Sequence, residues 1–179
     1  MATAANILII ILELTGLRLS ARKRGWGLFV FYTQLSNIVA LLSSIFFLLA
    51  AEKASWLRFT GTCMVIMTFF VSLCILVPMG AGFTTMMLRG SGLFHHTLCP
   101  VLSTISYVLW EPHASAWLVP VVLTLAYGII MLYLNWTGKV DGPYPFFRIR
   151  QLGGLKTAAW FAVLTGVISL ISLAVVLVA

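Results

Sequence analysis

Apolar stretches of about 20 residues follow one another along this chain with little between them, and that spacing leaves few folds open. A helix of that length rises about 30 Å, the thickness of a bilayer's hydrocarbon core. Six such stretches stand out, at residues 2–19, 27–51, 57–79, 93–110, 114–136 and 157–178. Backbone donors and acceptors find no water in lipid, so a spanning segment must be a helix or part of a closed barrel. These runs are continuously apolar and do not alternate, which selects helices. Composition agrees: with 61% hydrophobic and only 8% charged residues, the chain lacks the polar surface of a water-soluble domain. The expected fold is all-α, a polytopic membrane bundle of about six transmembrane helices forming a single domain over residues 1–179.

Lysine and arginine set the expected orientation. Arg18, Arg22, Lys23, Arg24, Arg89, Lys139, Arg148, Arg150 and Lys156 follow the first, third and fifth spans, whereas only Lys53 and Arg58 follow the second and fourth. The positive-inside rule then puts the odd loops in the cytoplasm and both termini on the far side. The net charge of +7 reports this topology and contact with anionic headgroups. Nucleic acid is not an expected partner, because the basic residues are scattered over juxtamembrane loops without a recognition motif. A cleaved signal peptide is the alternative for the first span, but its basic cluster follows the apolar run instead of preceding it. Cys63 and Cys74 lie three turns apart on one helix, too far for a disulfide, and with Cys99 they read as packing residues.

Polar groups inside the spans are few, and each is expensive in lipid unless it faces the bundle interior. The first span carries Glu13. The second carries Thr33, Gln34 and Asn37 in FYTQLSN, and the fourth opens with His95 and His96 in FHHTLCP. The fifth closes with Asn135 and runs into DGPYPFFRIRQ, which holds Tyr144 and Arg148. With the topology above, these groups gather in the inner-leaflet half, and the far half offers almost nothing comparable. An apolar pocket with one polar end suits a ligand with a long hydrocarbon part and one reactive head, which makes lipid the expected partner.

Bland roles compete with this reading at each position. Thr33 can bond back to the carbonyl of Phe29, and Asn37 can join two helices. Glu13 can accept a hydrogen bond across helices. Adjacent histidines point about 100° apart on a helix, so one can work while the other packs. Pro100 cannot donate to the carbonyl of His96, which leaves helix four irregular at its histidines. Three chemistries fit such a layer. Acyl transfer needs a hydroxyl, a histidine base and donors for the oxyanion, and Thr33 with a histidine and Asn37 would supply them. A metal site is weak, since His113 sits across the membrane from the pair, and neither a metal nor another cofactor is expected. The third is a non-enzymatic transporter or lipid-binding protein in which Glu13 and a histidine relay protons.

FYTQLSN at the start of a second helix, FHHTLCP with its proline after the histidines, and LYLNWTGKVDGPYPFFRI late in the chain resemble, in order and spacing, the androgen-induced membrane protein family. The resemblance covers most of the chain. It implies a multipass threonine hydrolase that cleaves fatty acid esters of hydroxy fatty acids, located in the inner membrane of a bacterium or in the endoplasmic reticulum or plasma membrane of a eukaryote. It places the essential threonine at Thr33 and the histidine, five residues before the proline, at His95. His96, Asn37, Glu13, Asn135, Tyr144 and Arg148 are then the expected supporting or substrate-binding residues, with Asn37 or His96 stabilising the oxyanion, Glu13 or Asn135 orienting the histidine, and the released carboxylate leaving toward Arg148 and Arg150.

Overall fold

A computed structural model describes residues 1–179; it is built of helices joined by short loops, without a strand. The long helices are α1 (Ala2–Arg24), α2 (Tyr32–Leu49), α3 (Ala51–Val71), α4 (Cys99–Trp110), α5 (Leu118–Trp136) and α7 (Gly154–Val178), with a four-residue α6 (Ile149–Leu152) before the last. Five helical stretches are long and apolar enough to cross a membrane. The expected fourth span differs. Its first six residues, Leu93–Leu98, form a π-helical turn, and α4 proper has only 12 residues.

Three π-helical segments interrupt the bundle, Ser72–Ala81, Thr84–Leu88 and Leu93–Leu98, and the first and last have an identifiable source. Pro100 and Pro78 each lack the N–H that an α-helix would send four residues back, to His96 and to Cys74. The backbone widens beside both prolines, at Leu93–Leu98 and at Ser72–Ala81, which continues α3. Single π turns of this kind recur at functional sites.

The second span also starts later than its apolar pattern suggests. Gly25–Val30 is a 3₁₀ turn and Phe31 is extended, so α2 begins at Tyr32 and Thr33 lies in its first turn, not six residues into a helix. Leaving the N–H groups of that turn unpaired would be costly in a membrane interior. Two tyrosines meet the need: the Tyr127 hydroxyl accepts from the Tyr32 N–H at 3.1 Å and donates to the Val30 carbonyl at 2.8 Å, while the Tyr144 hydroxyl accepts from the Thr33 N–H at 3.4 Å.

Helix α3 is the hub. It packs against α2 and α4 on one side and α5 and α7 on the other, and α1 closes against α2 and α4. Residues Phe59 to Val65 are buried without a break, so α3 is covered all round, as a central helix should be. Small residues make the closest crossing: a Cβ on Gly61 would stand 3.0 Å from the Ala40 Cα and from the Ser43 Oγ. Around this hub, Ile7, Ile11, Leu14, Val122, Ile129, Ile130, Leu170 and Leu177 point outward and exposed, the apolar rim that lipid requires.

Candidate functional site

Two buried polar clusters occupy the bundle, one in each half. The first lies toward the end bearing the basic residues that close α1 and those that follow α5, where the sequence places it. Glu13 on α1, Gln34 and Asn37 on α2, and His95 on the π-helical turn are all buried. The Gln34 Nε2 donates to His95 Nδ1 at 3.2 Å, which leaves the ring proton on Nε2, 3.6 Å from Glu13 Oε2. Asn37 Nδ2 donates to the Thr33 carbonyl at 2.6 Å and reaches the His95 carbonyl at 3.4 Å. Gly16 makes this possible, because any side chain there would collide with the His95 imidazole. Both Glu13 oxygens, Gln34 Oε1, Asn37 Oδ1 and His95 Nε2 have no hydrogen-bond partner although buried.

Thr33 belongs to the same layer but turns away from that cluster. Its hydroxyl lies 3.3 Å from the Tyr144 hydroxyl and does not bond back to the Phe29 carbonyl. It forms no hydrogen bond with either histidine. The cause is angular: successive residues Thr33 and Gln34 diverge by about 100°, and it is Gln34 that faces His95. Thr33 instead opens on a pocket between α2, α3, α5, α7 and the loop after α5, about 550 Å³ of unfilled space counted out to its open side. Most of its lining is apolar, Met67, Val71, Leu76, Leu125, Phe161 and Leu164 among it; Thr33, Ser72 and Tyr144 are among the hydroxyl residues on its wall, and Thr68, Thr124 and Thr165 add others.

Ser72 was not singled out by the sequence. It is buried on the first residue of the π-helical continuation of α3, and its hydroxyl is hydrogen-bonded to His96 Nδ1. The two histidines therefore serve different neighbours, His95 toward α1 and His96 toward α3.

No family model, curated protein or solved structure matches this chain.

Tyr144 reaches Thr33 because the YPFF stretch folds into the bundle. Tyr144 stacks on Phe146 at 5.2 Å between centroids and meets Phe31 and Phe147 edge-on. Burial pushes the Tyr144 phenol above its ordinary value, against the opposing pull of its hydrogen bonds to Thr33. The phenol thus stays a neutral donor and acceptor over the physiological range. An unfolded phenol ionises at about pH 10, so stability is full below that pH and falls as pH climbs through the raised folded value. Thermal melts from about pH 8 to 11 should show this loss, and Tyr144→Phe should remove part of it.

Asn135 and Arg148 brace the same loop and do not reach the histidines. Asn135 Nδ2 donates to the Val140 carbonyl at 3.2 Å, and Arg148 Nε donates to the Gly142 carbonyl at 3.4 Å. Of Glu13 and Asn135, it is Glu13 that faces His95, opposite the Gln34 amide.

The second cluster corrects the expectation that the other half is nearly free of polar groups. Arg58, counted above as a loop charge, is fully buried and donates through Nε to Glu111 Oε2 at 2.7 Å and through Nη2 to Oε1 at 2.9 Å. Nη1 donates to Ser43 at 3.2 Å and Ser44 at 3.1 Å, and Asn6 and Ser106 donate to Glu111 Oε1 at 2.8 and 2.5 Å. Side chains from α1, α2, α3 and α4 meet in this one ion pair. One signal was available: Arg58 falls inside an apolar span, and the chain has only four acidic residues to pair with it.

Proposed function

We propose that this chain is an intramembrane hydrolase of lipid esters, of the type formed between fatty acids and hydroxy fatty acids. The observation that carries the reading is the pocket: a largely apolar chamber whose lining includes hydroxyls bonded to a phenol and to an imidazole. An acyl chain fits the apolar body with its ester at the hydroxyls, and a hydroxyl made nucleophilic there forms an acyl-enzyme that water then hydrolyses. The family resemblance gives the attack to Thr33 and the proton transfer to His95. In support, Thr33 stands on the pocket wall and the next residue, Gln34, is hydrogen-bonded to His95, with Glu13 Oε2 3.6 Å from the far ring nitrogen. For His95 to act on Thr33, its Nδ1 must exchange Gln34 for the hydroxyl. The basic end of the bundle would face the cytoplasm, so the fatty acid would leave on that side.

Transport is a second reading, favoured by the unpartnered buried atoms of Glu13 and His95, which suit a proton relay. The Arg58–Glu111 cluster adds polar groups to the other half, but its two charges are paired with each other. Purified protein in detergent, supplied with long-chain esters of hydroxy fatty acids, should release free fatty acid, and Thr33→Ala should cut turnover about 10²-fold or more. Absence of turnover, together with pH-dependent proton flux in liposomes, would replace hydrolysis by transport.

A further inference from the structure

Among the hydroxyls that line the pocket, those of Thr33 and Tyr144 bond each other, and that of Ser72 bonds a base. Membrane helices ordinarily occupy serine and threonine hydroxyls with the carbonyl one turn back. Thr60, Thr104, Thr157, Thr165 and Ser169 all do this in the present bundle, at 2.7 to 3.0 Å. Ser72 does not. The widened turn that starts at Ser72 directs its hydroxyl to His96 Nδ1, and His96 sits on another widened turn, Leu93–Leu98. Two independent irregularities of the backbone thus converge on one hydroxyl–imidazole contact at the pocket wall.

We propose that Ser72 is the acylated nucleophile of the pocket, that His96 is its base, and that Thr33 with Tyr144 forms the donor side facing the oxyanion. The proposal rests on the ester-hydrolase reading and reassigns its central roles. Donor counting supports the second part. The Tyr144 hydroxyl already accepts from the Thr33 N–H, and one proton is spent in the bond between the two hydroxyls. The other proton remains free to donate into the pocket. The N-terminus of the 18-residue α2 lies behind it and adds a positive field.

The chemistry closes on these groups. His96 Nδ1 takes the Ser72 proton as Oγ bonds to the ester carbon, and the carbonyl electron pair moves to oxygen. Collapse breaks the bond to the alcohol oxygen, which takes the proton from the imidazolium. Water then attacks the acyl-serine, giving its proton to Nδ1. Collapse of the second oxyanion frees the carboxylic acid, and Ser72 recovers its proton from the ring.

A fluorophosphonate carrying a long alkyl chain tests this on the intact purified protein, with the adduct located by peptide mass spectrometry and ester hydrolysis followed in parallel. The expected result is a phosphonyl group on Ser72 in the unaltered chain. Labelling should fall by about 10²-fold or more in Ser72→Ala and His96→Gln, while Thr33→Ala slows hydrolysis yet still labels at Ser72. An adduct on Thr33 that persists in Ser72→Ala overturns the assignment and leaves hydrolysis standing. Neither adduct nor ester turnover in the unaltered chain removes both. The position of the adduct in that chain requires no variant to fold.

Discussion

Arg58→Ala should lower the stability of the bundle by about 3–5 kcal/mol, the largest effect expected of any single truncation in this protein. The guanidinium is fully buried, and its removal strands Glu111 beneath Asn6 and Ser106 with no cation. An uncompensated charge in that setting is far more costly than the lost hydrogen bonds alone. Arg58→Lys should recover only part of the loss. The guanidinium fork serves both Glu111 oxygens and reaches Ser43, Ser44 and Ser103, and a single ammonium cannot span that set. The paired change Arg58→Met with Glu111→Leu removes both charges at once and should restore most of the stability. Unfolding followed by circular dichroism during titration of bicelles with sodium dodecyl sulfate measures all three. A cost below about 1 kcal/mol for Arg58→Ala would mean that water reaches the pair. Because this pair draws together the four helices that also carry Glu13, Thr33 and His95, its loss should loosen the pocket wall as well.

That ion pair also marks where sequence reading stops. The spans are legible because hydropathy over about 20 residues is a property of the segment itself. Five of them appear as continuous helices of sufficient length. Counting lysine and arginine by loop treats each as wet, and Arg58 satisfies the count while being dry; its pairing depends on Glu111, 53 positions away. The start of α2 was hidden because GLFVF is apolar whether it coils as a 3₁₀ turn or as an α-helix. The shared layer of Glu13, Thr33, Asn37 and His95 could be read from depth alone, since rise per residue fixes it. Which side chains pair within that layer could not. Azimuth decides between Thr33 and Gln34 as the neighbour of His95, and azimuth at His95 and His96 is set by a π turn that periodicity does not report. Ser72 was invisible for the same reason: in a regular α3 its hydroxyl would have folded back on its own helix.

On the proposed reading as an ester hydrolase, Leu125→Trp should separate long from short substrates more sharply than any change among the hydroxyls. Leu125 is a half-buried residue of α5 on the apolar body of the pocket, remote in chemistry from the hydroxyls of Thr33, Ser72 and Tyr144. An indole there excludes about four methylenes of a bound acyl chain, and each methylene buried contributes about 0.8 kcal/mol. The long-chain ester should therefore lose about 3 kcal/mol of binding, roughly 200-fold in kcat/KM, while an acetyl ester of the same alcohol changes by no more than about threefold. The ratio of the two substrates on one preparation is the useful quantity, because partial misfolding lowers both equally and cancels. If the two esters fall together, the chamber does not hold the acyl chain. If the short ester alone falls, the acyl group enters from the opposite direction, with the alcohol occupying the apolar body.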